Sequence, residues 1–241
     1  MPPSKIKKAA LVTGSAKRIG QALAISLATR GYDLALHYHQ SHRDILSTVQ
    51  AVKKCGARCE IFSCDLSDQS QTQNLISQAK KNFPHLNLLI NSASIFIPSG
   101  FDGRNFKLFD DHINVNLKAP FILMGEFARL CKRGQIVNLL DTNIVKNKTS
   151  YVAYLLSKKA LAELTKLAAV SFAPHIRVNG IAPGLILPPE GKTSAYLQKR
   201  AQGIPLKRVG NVCSVCQSLE FLLDNDYLTG QILFNDGGEH L

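Results

Sequence analysis

Short apolar runs alternate with amphipathic stretches along the whole chain, and that alternation narrows the fold class before any single residue is considered. The apolar runs lie at residues 9–12, 34–38, 58–63, 86–90, 135–140, 176–181 and 231–234. Stretches with helical spacing of apolar residues occupy 18–29, 44–54, 68–80, 110–130, 151–172 and 212–223. Strands spaced by helices build βαβ units, whose strands pair in parallel. The expectation is an α/β fold in which residues 1–241 form one doubly wound parallel sheet with helices on both faces. No internal repeat or low-complexity linker divides the chain. One segment stands outside the pattern, from 183 to 205, punctuated by Pro183, Gly184, Pro188, Pro189, Gly191, Gly203 and Pro205. A long irregular segment in a compact domain is usually functional. A substrate loop, acting as a lid, is therefore expected at about 184–205.

Composition excludes several classes of function. Of 241 residues, 45% are apolar and 19% charged, the balance of an ordinary globular protein rather than a disordered one. No 18-residue apolar window exists, so no transmembrane helix is expected, and the basic start is too short in apolar residues for a signal peptide. A cytoplasmic protein without a membrane partner is the expectation. Lys and Arg exceed Asp and Glu by 29 − 17 = 12, which points to an anionic partner: nucleic acid, an acidic surface or a phosphorylated small molecule. The cations are scattered in pairs such as Lys53/Lys54 and Lys158/Lys159, with no long run, which argues against nucleic acid. The six cysteines fit no zinc template, and Cys213-Ser-Val-Cys216 has no second pair, so they read as reduced thiols and no metal is expected.

The first apolar run leads into Thr13-Gly14-Ser15-Ala16-Lys17-Arg18-Ile19-Gly20, and a helical stretch follows. Gly14 permits a tight turn, Gly20 permits close packing, and the helix N-terminus offers free N–H groups to a pyrophosphate. The glycine spacing is not the common dinucleotide fingerprint, and an ordinary strand–helix turn fits it as well. The second run ends in His37-Tyr38-His39-Gln40-Ser41-His42-Arg43, with no acid before Asp44. A site for NAD usually carries a carboxylate there for the ribose hydroxyls. Its absence, with Lys17 and Arg18 in the turn, suits a 2′-phosphate held by His39 and Ser41, and so NADPH.

Tyr154-Leu-Leu-Ser-Lys158 places a phenol and an ammonium four residues apart on one helix face. A nearby ammonium stabilises phenolate, so the Tyr154 pKa is expected to fall and Tyr154 to serve as a proton donor. Taken with Thr13-Gly14, Asn91-Ser92-Ala93-Ser94 and Arg177-Val178-Asn179-Gly180-Ile181-Ala182-Pro183-Gly184, the pattern resembles the short-chain dehydrogenase/reductase family from residue 9 to the closing Asn235-Asp236-Gly237-Gly238. The resemblance implies a single Rossmann-type domain that transfers hydride from a nicotinamide, and a homotetramer. It implies Tyr154 as acid, Lys158 on the nicotinamide ribose and Asn116 supporting a proton-relay water. It places Asp65 and Leu66 at the adenine, Asn91 and Ala93 beneath the adenosine ribose, and Ile19, Pro183 and Gly184 among the cofactor contacts. Thr13 would brace the turn.

Three positions depart from the common family pattern. Arg18 replaces a glycine, Asp141 stands where a serine is usual, and Asn91-Ser92-Ala93-Ser94-Ile95-Phe96 replaces the usual stretch. All three resemble the pteridine reductase branch, where the phenylalanine matching Phe96 stacks on the pterin and the serine matching Ser94 bonds pterin and cofactor. Gln40 and Ser92 depart from that branch. A carboxylate at 141 would repel a developing alkoxide but suits ring N–H groups. Phe96 also fits a core position and Asp141 a cap. The small-molecule substrate implied is a pterin or dihydropterin, touching Ser94, Phe96, Asp141, Tyr154 and Leu187. A carbonyl reductase of 3-oxoacyl thioesters or other ketones, and a non-catalytic NADP-binding protein, remain open on the same fold.

Overall fold

A computed structural model describes residues 7–101, 106–189 and 191–241. The basic start at 1–6 lies outside the described residues. Seven parallel strands form one sheet in the order β3-β2-β1-β4-β5-β6-β7. The strands are β1 (Lys8–Val12), β2 (Tyr32–Tyr38), β3 (Cys59–Ser63), β4 (Leu86–Asn91), β5 (Gly134–Leu139), β6 (Ile176–Pro183) and β7 (Ile232–Asn235). The helices are α1 (Arg18–Thr29), α2 (His42–Lys54), α3 (Gln69–Asn82), α4 (Phe106–Ile113), α5 (Ala119–Cys131), α6 (Val152–Phe172), α7 (Ser194–Ala201) and α8 (Val212–Asp224).

The continuous apolar runs are explained by burial on both faces of a parallel sheet. Successive residues of β1 point to opposite sides, so Ala10 and Val12 pack with Leu23 and Leu27 of α1 and Leu219 of α8. Ala9 and Leu11 enter the other core, with Leu75 and Ile76 of α3, Phe127 of α5 and Ala168 of α6. The strand order reverses between β1 and β4, and a crevice opens there at the carboxyl ends of the strands.

Two expectations need correction. The helix expected at 110–130 begins at Phe106 and is interrupted by a π turn, Asn114–Lys118, before α5. Pro120 explains the interruption: it has no N–H to give to the Asn116 carbonyl, and its ring crowds that carbonyl. The Ala119 N–H bonds Asn114 five residues back instead. The second correction is in 183–205, which is not irregular throughout. It holds α7, whose Leu197 and Ala201 pack with Leu185 and Ile204. Two buried residues on an eight-residue helix leave no visible period, and the surrounding prolines and glycines dominate the pattern.

Candidate active site

A cleft of about 830 Å³ lies over the strand-order reversal and receives most of the residues singled out in the sequence. That volume falls within the usual range for a cofactor or ligand pocket. Gly14, Lys17, Arg18, Ile19 and Gly20 line one part of it. Gly14 has φ +64°, and a Cβ there would sit 2.8 Å from the Ala93 Cα, so the position needs glycine. A Cβ on Gly20 would lie 2.2 Å from the Gly14 carbonyl oxygen, so α1 can start this close to the turn only with glycine. Arg18 adopts φ +59°, a left-handed conformation in which a glycine would be unstrained, and its guanidinium donates to the Pro188 carbonyl at 2.8 Å. Thr13 braces the turn as expected: its hydroxyl oxygen accepts from the Ser92 and Ala93 N–H groups at 3.0 and 3.1 Å.

His37 was not among the residues assigned a role from the sequence, yet it holds the turn in place. The Gly14 N–H donates to its Nδ1 at 3.0 Å, and its Nε2 lies 3.0 Å from the Cys64 carbonyl. These two contacts require the neutral ring with the proton on Nε2. Burial lowers its pKa to about 4 and so favours that neutral form. The available signal was a histidine at an interior position of a buried strand. Beyond it, His39, Gln40 and Ser41 line the cleft opposite Asp65 and Leu66, with His39 Nε2 3.7 Å from the Asp65 carboxylate.

The next stretch is divided. Ala93, Ser94 and Phe96 line the cleft, whereas Asn91 does not. Asn91 is buried and donates from Nδ2 to Asn138 Oδ1 at 2.8 Å, joining β4 to β5. Phe96 is 44% exposed and is not a core residue. One face of its ring stacks on Tyr151 at 4.3 Å, and it meets the Tyr154 ring edgewise at 4.6 Å. Tyr151 therefore belongs to the same aromatic wall, a neighbour that no motif identified.

Tyr154 and Lys158 stand one turn apart near the start of α6, both buried. The phenol donates to Asp141 Oδ2 at 2.8 Å. The other Asp141 oxygen accepts from the Asn143 N–H and side-chain amide, both at 2.7 Å, so Asp141 also caps the 3₁₀ turn Thr142–Val145. Lys158 Nζ donates to the Leu139 carbonyl at 2.7 Å and lies 5.9 Å from the centre of the Tyr154 ring. The expected fall in the Tyr154 pKa is overturned. Burial, the Asp141 charge and the hydrogen bond to Asp141 hold the phenol well above its ordinary value. The carboxylate is in direct contact and the ammonium is not. Burial in turn lowers Lys158 to about 8, against the pull of Asp141.

Asn116 is buried in the π turn and does not line the cleft. Its Oδ1 accepts from the Ile95 N–H at 2.9 Å, and its Nδ2 donates to the Ile95 carbonyl at 3.0 Å and to Ser157 Oγ at 3.2 Å. It ties the stretch before Phe96 to α6 between Tyr154 and Lys158. Pro183, Gly184 and Leu187 close the cleft over β6. A Cβ on Gly184 would lie 2.5 Å from that of Asp236.

A doubly wound parallel sheet, a glycine turn at the switch point and a buried Tyr-x-x-x-Lys pair define an oxidoreductase of the dinucleotide-binding class. The family model described as "Enoyl-(Acyl carrier protein) reductase" matches residues 14–240. The chain belongs to the short-chain dehydrogenase/reductase family. It is 31% identical, with a TM-score of 0.91, to the FolM alternative dihydrofolate reductase 1 of Brucella suis, solved in complex with NADP; 96% of this chain and 94% of that one are covered. It resembles acetoin dehydrogenase YohF of Salmonella typhimurium with 28% identity, a TM-score of 0.88 and coverage of 96% and 95%. It is 28% identical over 98% of its length to the whole 3-oxoacyl-[acyl-carrier-protein] reductase FabG of Staphylococcus aureus. No helix among the described residues is long and apolar enough to cross a membrane.

Proposed function

We propose that this chain is an NADPH-dependent reductase of pterins or dihydropteridines. The observation that carries the proposal is Asp141, a carboxylate within the cleft and hydrogen-bonded to the Tyr154 phenol. A substrate carbonyl would bring its oxygen, and the negative charge that develops on it, against that carboxylate. A pterin brings N–H groups, which donate to it, and ring nitrogens, which take protons. The half-exposed Phe96 ring supplies a flat apolar face beside the same pair.

The residues present fit the cofactor. Gly14 and Gly20 leave backbone space where side chains would clash, and α1 directs its N-terminal N–H groups at the turn. Lys17, Arg18, His39 and Ser41 would hold the 2′-phosphate end, and Pro183 and Gly184 the nicotinamide end. When bound there, NADPH would supply the hydride that the ring C=N carbon takes up. Lys158 would hold the nicotinamide ribose, as its buried ammonium suits hydroxyl acceptors. Tyr154 keeps its proton until a ring nitrogen of sufficient basicity faces it, and Asp141 orients the ring through its N–H groups. The Asn116 carbonyl, which Pro120 cannot bond, would support a proton-relay water. The homotetramer implied by the family is part of the same proposal.

The similarity to 3-oxoacyl and acetoin enzymes supports the alternative, a ketone reductase. NADPH oxidation against dihydropterins, pterins, 3-oxoacyl thioesters and simple ketones, in wild type and Asp141→Ser, separates the two. Pterin turnover lost in the variant, at about 1–3 kcal/mol for a buried polar group left unpaired, with no gain on ketones, supports pterin reduction. Ketone activity that rises in Asp141→Ser while pterins are never turned over overturns it.

A further inference from the structure

His112 is fully buried beside Tyr154, in the last turn of α4, and neither the reduction nor the cofactor uses it. Its Nδ1 lies 2.8 Å from the Leu108 carbonyl oxygen, one turn back, and its Nε2 accepts the Ile97 N–H at 3.3 Å. An acceptor at Nε2 places the ring proton on Nδ1, where it serves the Leu108 carbonyl. An aliphatic side chain would fill the same space but offer Ile97 no lone pair. The imidazole also meets the Tyr154 ring edgewise, with ring centres 6.4 Å apart and planes at 73°.

Ile97 is the middle of three alternate residues fastened from behind the cleft wall. Asn116 holds both backbone groups of Ile95. Ser99 bonds the backbone of Ser150 and Val152, and its Oγ accepts the Ala153 N–H in the first turn of α6 at 3.0 Å. Between these two, the bond to His112 is the one backbone hydrogen bond that Ile97 makes among the described residues. The N–H that His112 accepts belongs to the peptide bond following Phe96. The imidazole therefore fixes the backbone that carries the aromatic wall while touching the ring of the acid. Phe96 lines the cleft and meets Tyr154 edgewise from its own side, whereas His112 does not line the cleft.

We propose that His112 is a positioning residue that sets the spacing between the Phe96 ring and the Tyr154 phenol, so that a flat heterocycle lying on Phe96 presents a ring nitrogen to Tyr154. This rests on the pterin reduction proposed above. His112 touches neither substrate nor cofactor, so its loss should leave binding in place and cost alignment, which appears in kcat.

The test uses 7,8-dihydrobiopterin and two variants. His112→Phe keeps a ring against Tyr154 but has no acceptor for the Ile97 N–H, and His112→Gln keeps an acceptor. Turnover is counted per NADPH-binding site, so that a loss of folded protein does not enter kcat. His112→Phe should lower kcat by about tenfold, the size of one lost hydrogen bond, with KM and NADPH affinity unchanged, and His112→Gln should recover most of that loss. Amide exchange in 94–99, followed by mass spectrometry, should quicken in His112→Phe alone, while α6 keeps its wild-type rates. Wild-type kcat in His112→Phe, an equal loss in His112→Gln, a loss carried by KM or by NADPH affinity, or unaltered exchange in 94–99 overturns the proposal. If the wild type does not reduce 7,8-dihydrobiopterin, the parent proposal has failed, and exchange decides the role of His112 separately. Faster exchange in 94–99 in His112→Phe alone upholds it as the fastening of the Phe96 backbone, whereas exchange that is alike in both variants removes it.

Discussion

In the proposed reaction, the hydrogen bond from Tyr154 to Asp141 decides which residue can act as the acid. A phenol whose proton is held by a neighbouring carboxylate is protonated throughout the neutral range, and it gives that proton up only to a group that competes with Asp141. Tyr154→Phe should therefore lower kcat by about 10²-fold, the usual size of a lost general acid, while NADPH affinity stays intact. Near-normal turnover in the variant would transfer the role to Asp141. His37 makes a second residue-scale prediction, on stability. Its folded pKa of about 4 lies below the ordinary histidine value near 6.5, so the unfolded chain binds the extra proton between them. Its contribution is complete above about pH 6.5 and declines as pH falls towards 4, by up to about 1.4 kcal/mol per pH unit. Urea unfolding should show a loss of about 2 kcal/mol from this group between pH 7 and pH 5. His37→Asn keeps an acceptor for the Gly14 N–H but cannot titrate, so its acid loss should be smaller by that amount. An identical acid loss in both proteins would show that the slope comes from other groups.

At the scale of elements, α7 is the weak part of the cleft wall. It is eight residues long and buries Leu197 and Ala201, whereas α6 buries ten residues along 21. Few buried contacts mean a low local opening free energy. Amide exchange in 191–205 should be faster than in α6 and the central strands, and should slow when NADPH and substrate are both present. Exchange as slow as in β4 without ligand would contradict a lid. The same contrast explains what the sequence made legible. The long strands and helices could be read because each buries a regular face, and the glycine turn and the Tyr154/Lys158 pair because their chemistry lies within a few consecutive residues. The π turn had a local signal in Pro120, which the helical period concealed. The Tyr151–Phe96 stack and the Arg200–Glu239 pair join residues far apart in the chain, so no local pattern could show them. The direction of the Tyr154 pKa is hidden from the sequence for the same reason: Lys158 is near in sequence, but Asp141 is near in space.

At the scale of the molecule, a small part of the excess positive charge borders the cleft, where Lys17, Arg18, Lys148, Lys158 and Arg200 are among the lining residues. Cations at such a cleft suit an anionic cofactor. The apolar surface away from the cleft has a different meaning. On α6, positions 156, 160, 163, 167 and 170 follow the alternating four- and three-residue spacing of a helix–helix seam. Leu156, Leu167 and Val170 are 48%, 67% and 82% exposed along it, although each would be stabilised by burial. Phe121 on α5 is 60% exposed as well. A second copy of the chain presenting the same stripe would cover these side chains, with Glu163 and its Lys166 partner at a polar point of the seam. The wild type should therefore run in light scattering at a multiple of the single-chain mass, as the proposed tetramer requires. Leu167→Glu with Val170→Glu places like charges in the seam and should reduce that mass. Those residues touch no part of the cleft, so NADPH binding by the smaller species should persist if the cleft is complete within one chain. A wild type that is monomeric at micromolar concentration would leave the α6 stripe uncovered and remove the tetramer from the proposal, while the assignment of Asp141, Tyr154 and Lys158 would stand unchanged.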